Sequence, residues 1–344
     1  MVRYLLPWVT SIGEGWMEDC PLLTTIDFTG LDSLEEVGGH WMSHCVGLVA
    51  PDFTGLESLE NVGSYWMFGC TQIVAPVFMG LSRLQRIGSD WMRECSSLQN
   101  PLFAGLHSLH SIDEAWMYSC DELREPTFVG LHNLRTVGAG WLEDCTSLTQ
   151  PDFTGLGDLR SVGDGWMSEC TSLTQPNFTG LGELRSVGDG WMAYGESLLL
   201  CPDFFALVRL ETVGDSWMQE CAITGANFSG LGQLRSVGGS WMYACRSLEF
   251  PDFQGLEHLE TVGPRWMARC DELSTVSFSG LGRLQTVDCD WMSGCASCVY
   301  FVSTYIQNLK VYKFSCCMVM FFISETTFQI RILEALGFWF NDPS

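Results

Sequence analysis

The chain has 344 residues, 47% of them apolar and 17% charged. That is ample for a large core and too apolar for a disordered chain. Acidic residues number 41 against 17 basic, a formal net charge of −24, so the sequence lacks the basic balance of a nucleic-acid binder and is disfavoured at an anionic membrane surface.

The N-terminal stretch offers no leader. Leu5-Leu6 is followed at once by Pro7 and Trp8, too short and broken for a signal segment. From there tryptophan recurs at Trp16, Trp41, Trp66, Trp91, Trp116, Trp141, Trp166, Trp191, Trp217, Trp241, Trp266 and Trp291. The step is 25 residues except for 26 and then 24 around Trp217. Phenylalanine keeps the same phase from Phe28 to Phe278, followed by two leucines, a Val or Ile, Trp-Met, Cys and Leu. One unit runs from Pro151-Asp152-Phe153 through Leu156, Leu159, Val162-Gly163, Trp166-Met167 and Cys170 to Leu173. Leu6, Val9 and Ile12 already occupy repeat columns, so Met1 falls inside or at the edge of the first coil. A solenoid needs caps, and the expectation is a fragment or a gene model lacking its start.

A 25-residue unit cannot bury its own apolar side, but stacked units turn each apolar column into a continuous internal ladder. A long helix is excluded. Gly155, Gly157, Gly163 and Gly165 interrupt it, and proline before the Phe would cost about 3 kcal/mol inside a helix. Short parallel strands are expected at Leu159–Val162 and Ser172–Phe178 and their equivalents. About twelve coils at ~4.8 Å each give a rod of roughly 55–60 Å. Near residue 200 one residue is inserted between Leu198 and Pro202 and one is lost between Cys221 and Phe228, and Gly195 stands where Cys is expected. This predicts a locally distorted coil, through drift or a special site.

The stretch Val162-Gly163-Asp164-Gly165-Trp166-Met167-Ser168-Glu169-Cys170-Thr171-Ser172-Leu173 resembles the BspA-like leucine-rich repeat. Its Val, Gly, Cys and Leu align without gaps with that family's pattern, while Trp and Met replace Ala and Phe. The resemblance covers nearly all of residues 1–298. It implies a leucine-rich-repeat-like solenoid and, because members are often surface or secreted proteins, binding to other proteins or to host matrix. Residues 299–344 form a second, non-repeat region with an apolar run at Phe314–Ile323. That run is short of the ~20 residues a spanning helix needs. A cap, frame-shifted sequence and a weak membrane anchor all remain open for it.

Eleven of the 16 cysteines form a column from Cys20 to Cys295. Small buried thiols packing as hydrophobes, an oxidised ladder and metal binding are the readings; one ligand per coil makes a poor tetrahedral site. Cys295-x-x-Cys298 with Cys316 and Cys317 resembles half of a zinc knuckle beside a vicinal pair. The Asp column Asp27, Asp52, Asp152, Asp203 and Asp252, with Asn177 and Asn227, reads as a cation or basic-partner strip or as turn caps. Asn177-Phe178-Thr179 and Asn227-Phe228-Ser229 are glycosylation sequons. The six histidines read as surface residues, and neither a catalytic constellation nor a phosphate loop is present. No enzyme activity and no cofactor or metal are expected.

Residues two and three after each Trp vary most, and aromatic and arginine side chains there mark a binding track. The candidates are Phe68, Arg93, Tyr118, Tyr194, Tyr243 and Arg269. The expected function is a protein-interaction or adhesion module of a surface protein, with the acidic skin favouring basic partners. An intracellular scaffold is the alternative, favoured by the unpaired cysteine column.

Overall fold

The computed structural model describes residues 8–295 and the backbone of three further strands, Tyr300–Ser303, Lys310–Val311 and Met320–Phe322. The chain winds as a parallel β-solenoid of about eleven turns, one per ~25 residues. Among the described residues there is no helix, hence none long and apolar enough to cross a membrane.

A ladder of 13 parallel strands runs along one side. Each strand is two residues long, from Ser11–Ile12 through Ser161–Val162 to Thr286–Val287 and Lys310–Val311. Val137, Val162, Val187 and Val213 pair in unbroken register across the insertion near residue 200. A second ladder starts only at Gly225–Asn227 and continues through Phe250–Asp252 and Thr275–Ser277. In earlier coils it shrinks to single bridges such as Asp152 with Asn177.

Both strands are therefore shorter than the sequence suggests. Leu159 is taken up by a turn, its N–H donating to the Leu156 carbonyl. At the second position Pro126, Pro151 and Pro176 follow one another, and proline has no N–H for a ladder. The pairing lengthens where Ala226 and Val276 occupy that column on either side of Pro251. Cys298, Cys316, Cys317 and most of 299–344 lie outside the described residues, and within the Phe314–Ile323 run only the backbone of Met320–Phe322 is described. Tyr300–Ser303 pairs with Thr275–Ser277, Lys310–Val311 with Thr286–Val287, and Met320–Phe322 with Tyr300–Ser303.

The apolar columns form one continuous core. Phe153, Leu156, Leu159, Trp166, Met167, Cys170 and Leu173 are fully buried, and so are their equivalents in most coils. Indoles from Trp16 to Trp291 stack with ring centres 5.2–5.6 Å apart. Each phenylalanine packs edge-on, as Phe153 does on Trp166 at 5.1 Å. The tryptophans thus form an interior ladder. The indole N–H groups from Trp41 to Trp266 find no acceptor among the described residues. That costs about 1–3 kcal/mol per donor and is offset by burial of the ring and by stacking at about 0.5–1.5 kcal/mol per pair.

The segment around Trp-Met follows a third geometry. Gly165, Met167 and Glu169 have φ of 71°, 56° and 59°, and the same alternation of left-handed residues recurs in every coil. Left-handed backbone costs a non-glycine residue about 1–2 kcal/mol. Hydrogen bonds to both neighbouring coils hold it. The Gly165 and Glu169 N–H groups donate forward to Asp189 and Ala193, and the Met167 N–H donates back to Trp141. The cysteine completes the arc. The Cys170 thiol donates to the Leu142 carbonyl at 3.0 Å, and Cys145 to that of Met117 at 3.1 Å. No disulfide joins the described cysteines to one another. Two glycine columns fix the corners: Gly155 has φ of 105°, and a Cβ on Gly163 would lie 2.5 Å from the Ala139 nitrogen.

Candidate functional site

The left-handed arc carries the variable track on its outside. Inward, the Trp, Met and Cys columns of most arcs are buried; outward, many of the residues beside them reach solvent along one ribbon. The six candidate side chains all lie on this ribbon but gather as separate clusters. Arg93 stacks over the Tyr118 ring at 4.6 Å and bonds Asp90 at 3.0 Å. Arg269 approaches Tyr243 at 5.9 Å. Phe68 meets His44 edge-on at 5.0 Å. The Tyr194 hydroxyl accepts a bond from Gln219 Nε2 at 2.9 Å. Tyr194 and Arg269 are exposed, whereas Phe68, Arg93, Tyr118 and Tyr243 are half-buried. At a coil spacing of ~4.8 Å, each such ring lies within reach of the next coil's side chain.

The position just before Trp joins the ribbon and was missed by the sequence reading. Tyr65 stacks on His40 at 4.5 Å and touches Phe68 edge-on at 5.6 Å. Arg265 adds a second cation near Tyr243 at 5.7 Å. The signal was available, because this position also varies from His40 and Tyr65 to Asp90 and Arg265.

Between the aromatic clusters the ribbon turns acidic. A shallow groove of about 360 Å³ is lined by Asp144, Thr146, Glu169, Thr171, Tyr194 and Glu196. Ser119 Oγ donates to Asp144 at 2.7 Å. Burial, and then the charges of Glu169 and Asp144, push the Glu143 carboxyl above its ordinary value. Burial, and then Glu143, likewise raise Tyr118. This stretch carries concentrated negative charge beside aromatic surface.

Elsewhere the motifs resolve into local structure. Asp52 Oδ1 accepts the Thr54 N–H and hydroxyl at 3.0 and 2.7 Å, which holds its carboxyl below the usual range. Asp152, Asn177, Asp203, Asn227 and Asp252 cap their turns in the same way. The column is thus a set of turn caps. His40 pairs with Glu18 at 3.2 Å. No cluster of three potential metal ligands occurs among the described residues. Burial raises the column thiols, Cys70 and Cys221 to about 12, and Cys95, Cys120, Cys170 and Cys245 well above the ordinary thiol value. Such thiols pack and donate rather than react.

The profile of the BspA type leucine rich repeat region matches residues 5–104 and 80–193, in six copies. A leucine-rich repeat protein from Bacteroides ovatus superposes with a TM-score of 0.55 at 16% identity, over 90% of this chain and 84% of that one. The T. pallidum leucine rich repeat protein gives 0.40 at 23% identity, over 56% and 80% of the two chains. A leucine rich cell surface protein from Faecalibacterium prausnitzii gives 0.38 at 14%, over 80% and 84%. The first of these establishes a shared fold and no more. No curated protein matches the chain.

Proposed function

Because the chain belongs to the BspA-type leucine-rich repeat family, we propose that this protein-interaction solenoid is a non-enzymatic adhesion module of a surface protein. It binds a protein partner through the ribbon outside the Trp-Met arcs. The observation that carries this reading is the ribbon itself. It presents Tyr65, Phe68, Tyr118, Tyr194 and Tyr243 with Arg93, Arg265 and Arg269 over roughly ten coils. Tyrosine and arginine dominate binding energy where they occur at interfaces. The acidic groove between the clusters favours a partner with basic side chains. Asn177 and Asn227 are exposed in their sequons, with Asn177 Nδ2 donating to Asp152 Oδ1 at 2.9 Å.

One observation favours the intracellular alternative: no disulfide joins the described cysteines to one another, as in a reducing compartment. Protease applied to intact source cells separates the two. Release of peptides from this chain before lysis supports the surface reading; release only after lysis sinks it. The ribbon is tested by cross-linking partners to the wild-type chain and to a Tyr118→Ser/Tyr243→Ser variant. A partner recovered equally by both does not use the ribbon.

A further inference from the structure

A second surface carries the opposite charge. In each coil the exposed residue of the two-residue strand and the residue before it form two adjacent columns on the long ladder. One column runs His110, Arg135, Arg160, Arg185, tied by backbone bonds of 2.8–2.9 Å from each N–H to the carbonyl one coil back. The other runs Arg86, Ser111, Thr136, Ser161, Ser186 in strict parallel register. All four arginines are exposed. Four of the chain's 17 basic residues, in a protein of net charge −24, are thus concentrated on four of five successive coils.

Among the described residues, only one arginine of this strip is ion-paired. Arg185 pairs with Glu211 at 2.7 Å at one end. Among the described residues no carboxylate lies within 4.0 Å of the Arg86, Arg135 or Arg160 guanidinium. The hydroxyls of Ser111, Thr136, Ser161 and Ser186 also form no hydrogen bond to a described residue. Like charges directly opposite in a sheet are destabilising, and here they repeat at ~4.8 Å, the spacing of stacked strands. The same two columns carry Glu35 and Glu36 two coils before Arg86 and Glu60 one coil before it, and beyond Arg185 they run Glu211, Arg235 and Glu260. The basic stretch is therefore a local departure from the acidic skin, with a free guanidinium or hydroxyl donor on each coil.

We propose that this strip, from Arg86 to Arg185, binds an extended acidic peptide segment of a partner protein. An extended strand with Asp or Glu at alternate residues presents carboxylates every ~6.6–6.8 Å on one face. Long arginine side chains reach such a row from a ~4.8 Å pitch and grip carboxylates through two parallel N–H bonds. The neighbouring Ser and Thr hydroxyls donate to the remaining oxygens. The strip is narrow. Asp158 and Glu183 lie two residues before the arginine column, and Asp164 and Asp189 follow the strands, their Oδ1 atoms fixed by backbone N–H groups of the next coil at 2.7–2.9 Å. A broad polyanion would lay charge over those carboxylates; a single acidic strand does not. This surface precedes, in each coil, the turn into the aromatic ribbon, so it stands or falls separately from the ribbon.

The test uses the full chain and a fluorescein-labelled peptide alternating Glu and Ser, read by anisotropy at low salt. The Arg135→Glu/Arg160→Glu variant should bind at least about tenfold more weakly with an unchanged circular dichroism spectrum. Arg283→Glu/Arg246→Glu alters net charge equally away from the strip and should bind like wild type. Binding should also weaken steeply as salt rises. Absence of wild-type binding overturns the proposal, as does equal loss in both variants, which would make it a general charge effect. Tighter binding of an oligonucleotide or a sulfated oligosaccharide than of the peptide, lost in the strip variant, would overturn the partner class.

Discussion

The coil Pro151–Gln175 keeps every column of the repeat, whereas the stretch Gly195–Phe228 breaks several. Gly195 replaces the column cysteine, a residue is inserted before Pro202, and Ala206 stands where other coils carry a left-handed glycine. Yet Trp191 and Trp217 stack at 5.2 Å and 5°, and Phe204 keeps its place between Phe178 and Phe228 at 5.8 and 6.1 Å. The disturbance is pushed outward instead. Leu199, Leu200, Phe205 and Val208 are all more than half exposed. The inner columns therefore set the register, and the outer connections absorb the errors, as a quasi-one-dimensional stack of neighbour contacts allows.

The largest expected effect tests that division directly. Trp166→Ala should destabilise by about 3–5 kcal/mol, through lost burial and a cavity in the indole stack. Phe205→Ser, in the irregular coil and 71% exposed, should change stability by no more than about 0.5 kcal/mol. Urea midpoints of the two variants check this; a comparable loss in both would show that the irregular coil is packed against something essential.

The cysteine column gives a second contrast. Cys145→Ala removes the donor to the Met117 carbonyl and should cost about 1–3 kcal/mol. In the irregular coil no thiol reaches the Met167 carbonyl, because Gly195 has none to offer. Gly195→Cys restores that donor. Its Cβ would come within 3.2 Å of Leu198 Cβ and 3.3 Å of Cys221 Sγ, side-chain atoms that can shift by a few tenths of an ångström. A gain of about 0.5–1 kcal/mol is expected, read as a higher thermal midpoint. A loss would mean that the coil has collapsed around the glycine.

Reactivity sharpens the same comparison. Cys201, an extra thiol of the irregular coil, is only half-buried, while Cys170 is fully buried. Burial raises Cys201 to about 12. Since the thiolate is the nucleophile, alkylation of native Cys201 should be slow at neutral pH and should accelerate about tenfold per pH unit until its pKa is approached. Cys170 should stay unlabelled until the chain unfolds. Peptide mass mapping of a timed reaction decides it; early labelling of Cys170 would mean that the regular coils open first.

The solenoid, its period and its core were legible because each buried column repeats at one spacing, as Phe153, Leu156, Leu159, Val162, Trp166 and Met167 show. The left-handed arc was not legible. Met167 and Glu169 adopt positive φ through hydrogen bonds to coils 25 residues away, and no local propensity encodes that. The cysteine's role as donor to a methionine carbonyl was hidden for the same reason. For the candidate ribbon, variability after Trp located Arg93, Tyr118 and Tyr243. Tyr65 and Arg265 escaped because the position before Trp is often glycine, as at Gly140 and Gly165, and so reads as a turn.

The smallest expected effect separates charge on the regular coils from packing. Glu143 is half-buried, and its carboxyl is raised by burial and by the neighbouring Glu169 and Asp144 charges. A carboxyl raised on folding favours its protonated form in the native state, so ionisation weakens the fold as pH rises through the folded value. Glu143→Gln removes that penalty. At neutral pH the variant should be more stable than wild type, by no more than about 0.5 kcal/mol because the group is partly solvated. Below the ordinary carboxylate range both proteins carry a neutral group there and the difference should vanish. Thermal midpoints of the pair at neutral and acidic pH measure it. If the advantage persists in acid, it comes from hydrogen bonds of the new amide and not from removal of the Glu143 charge.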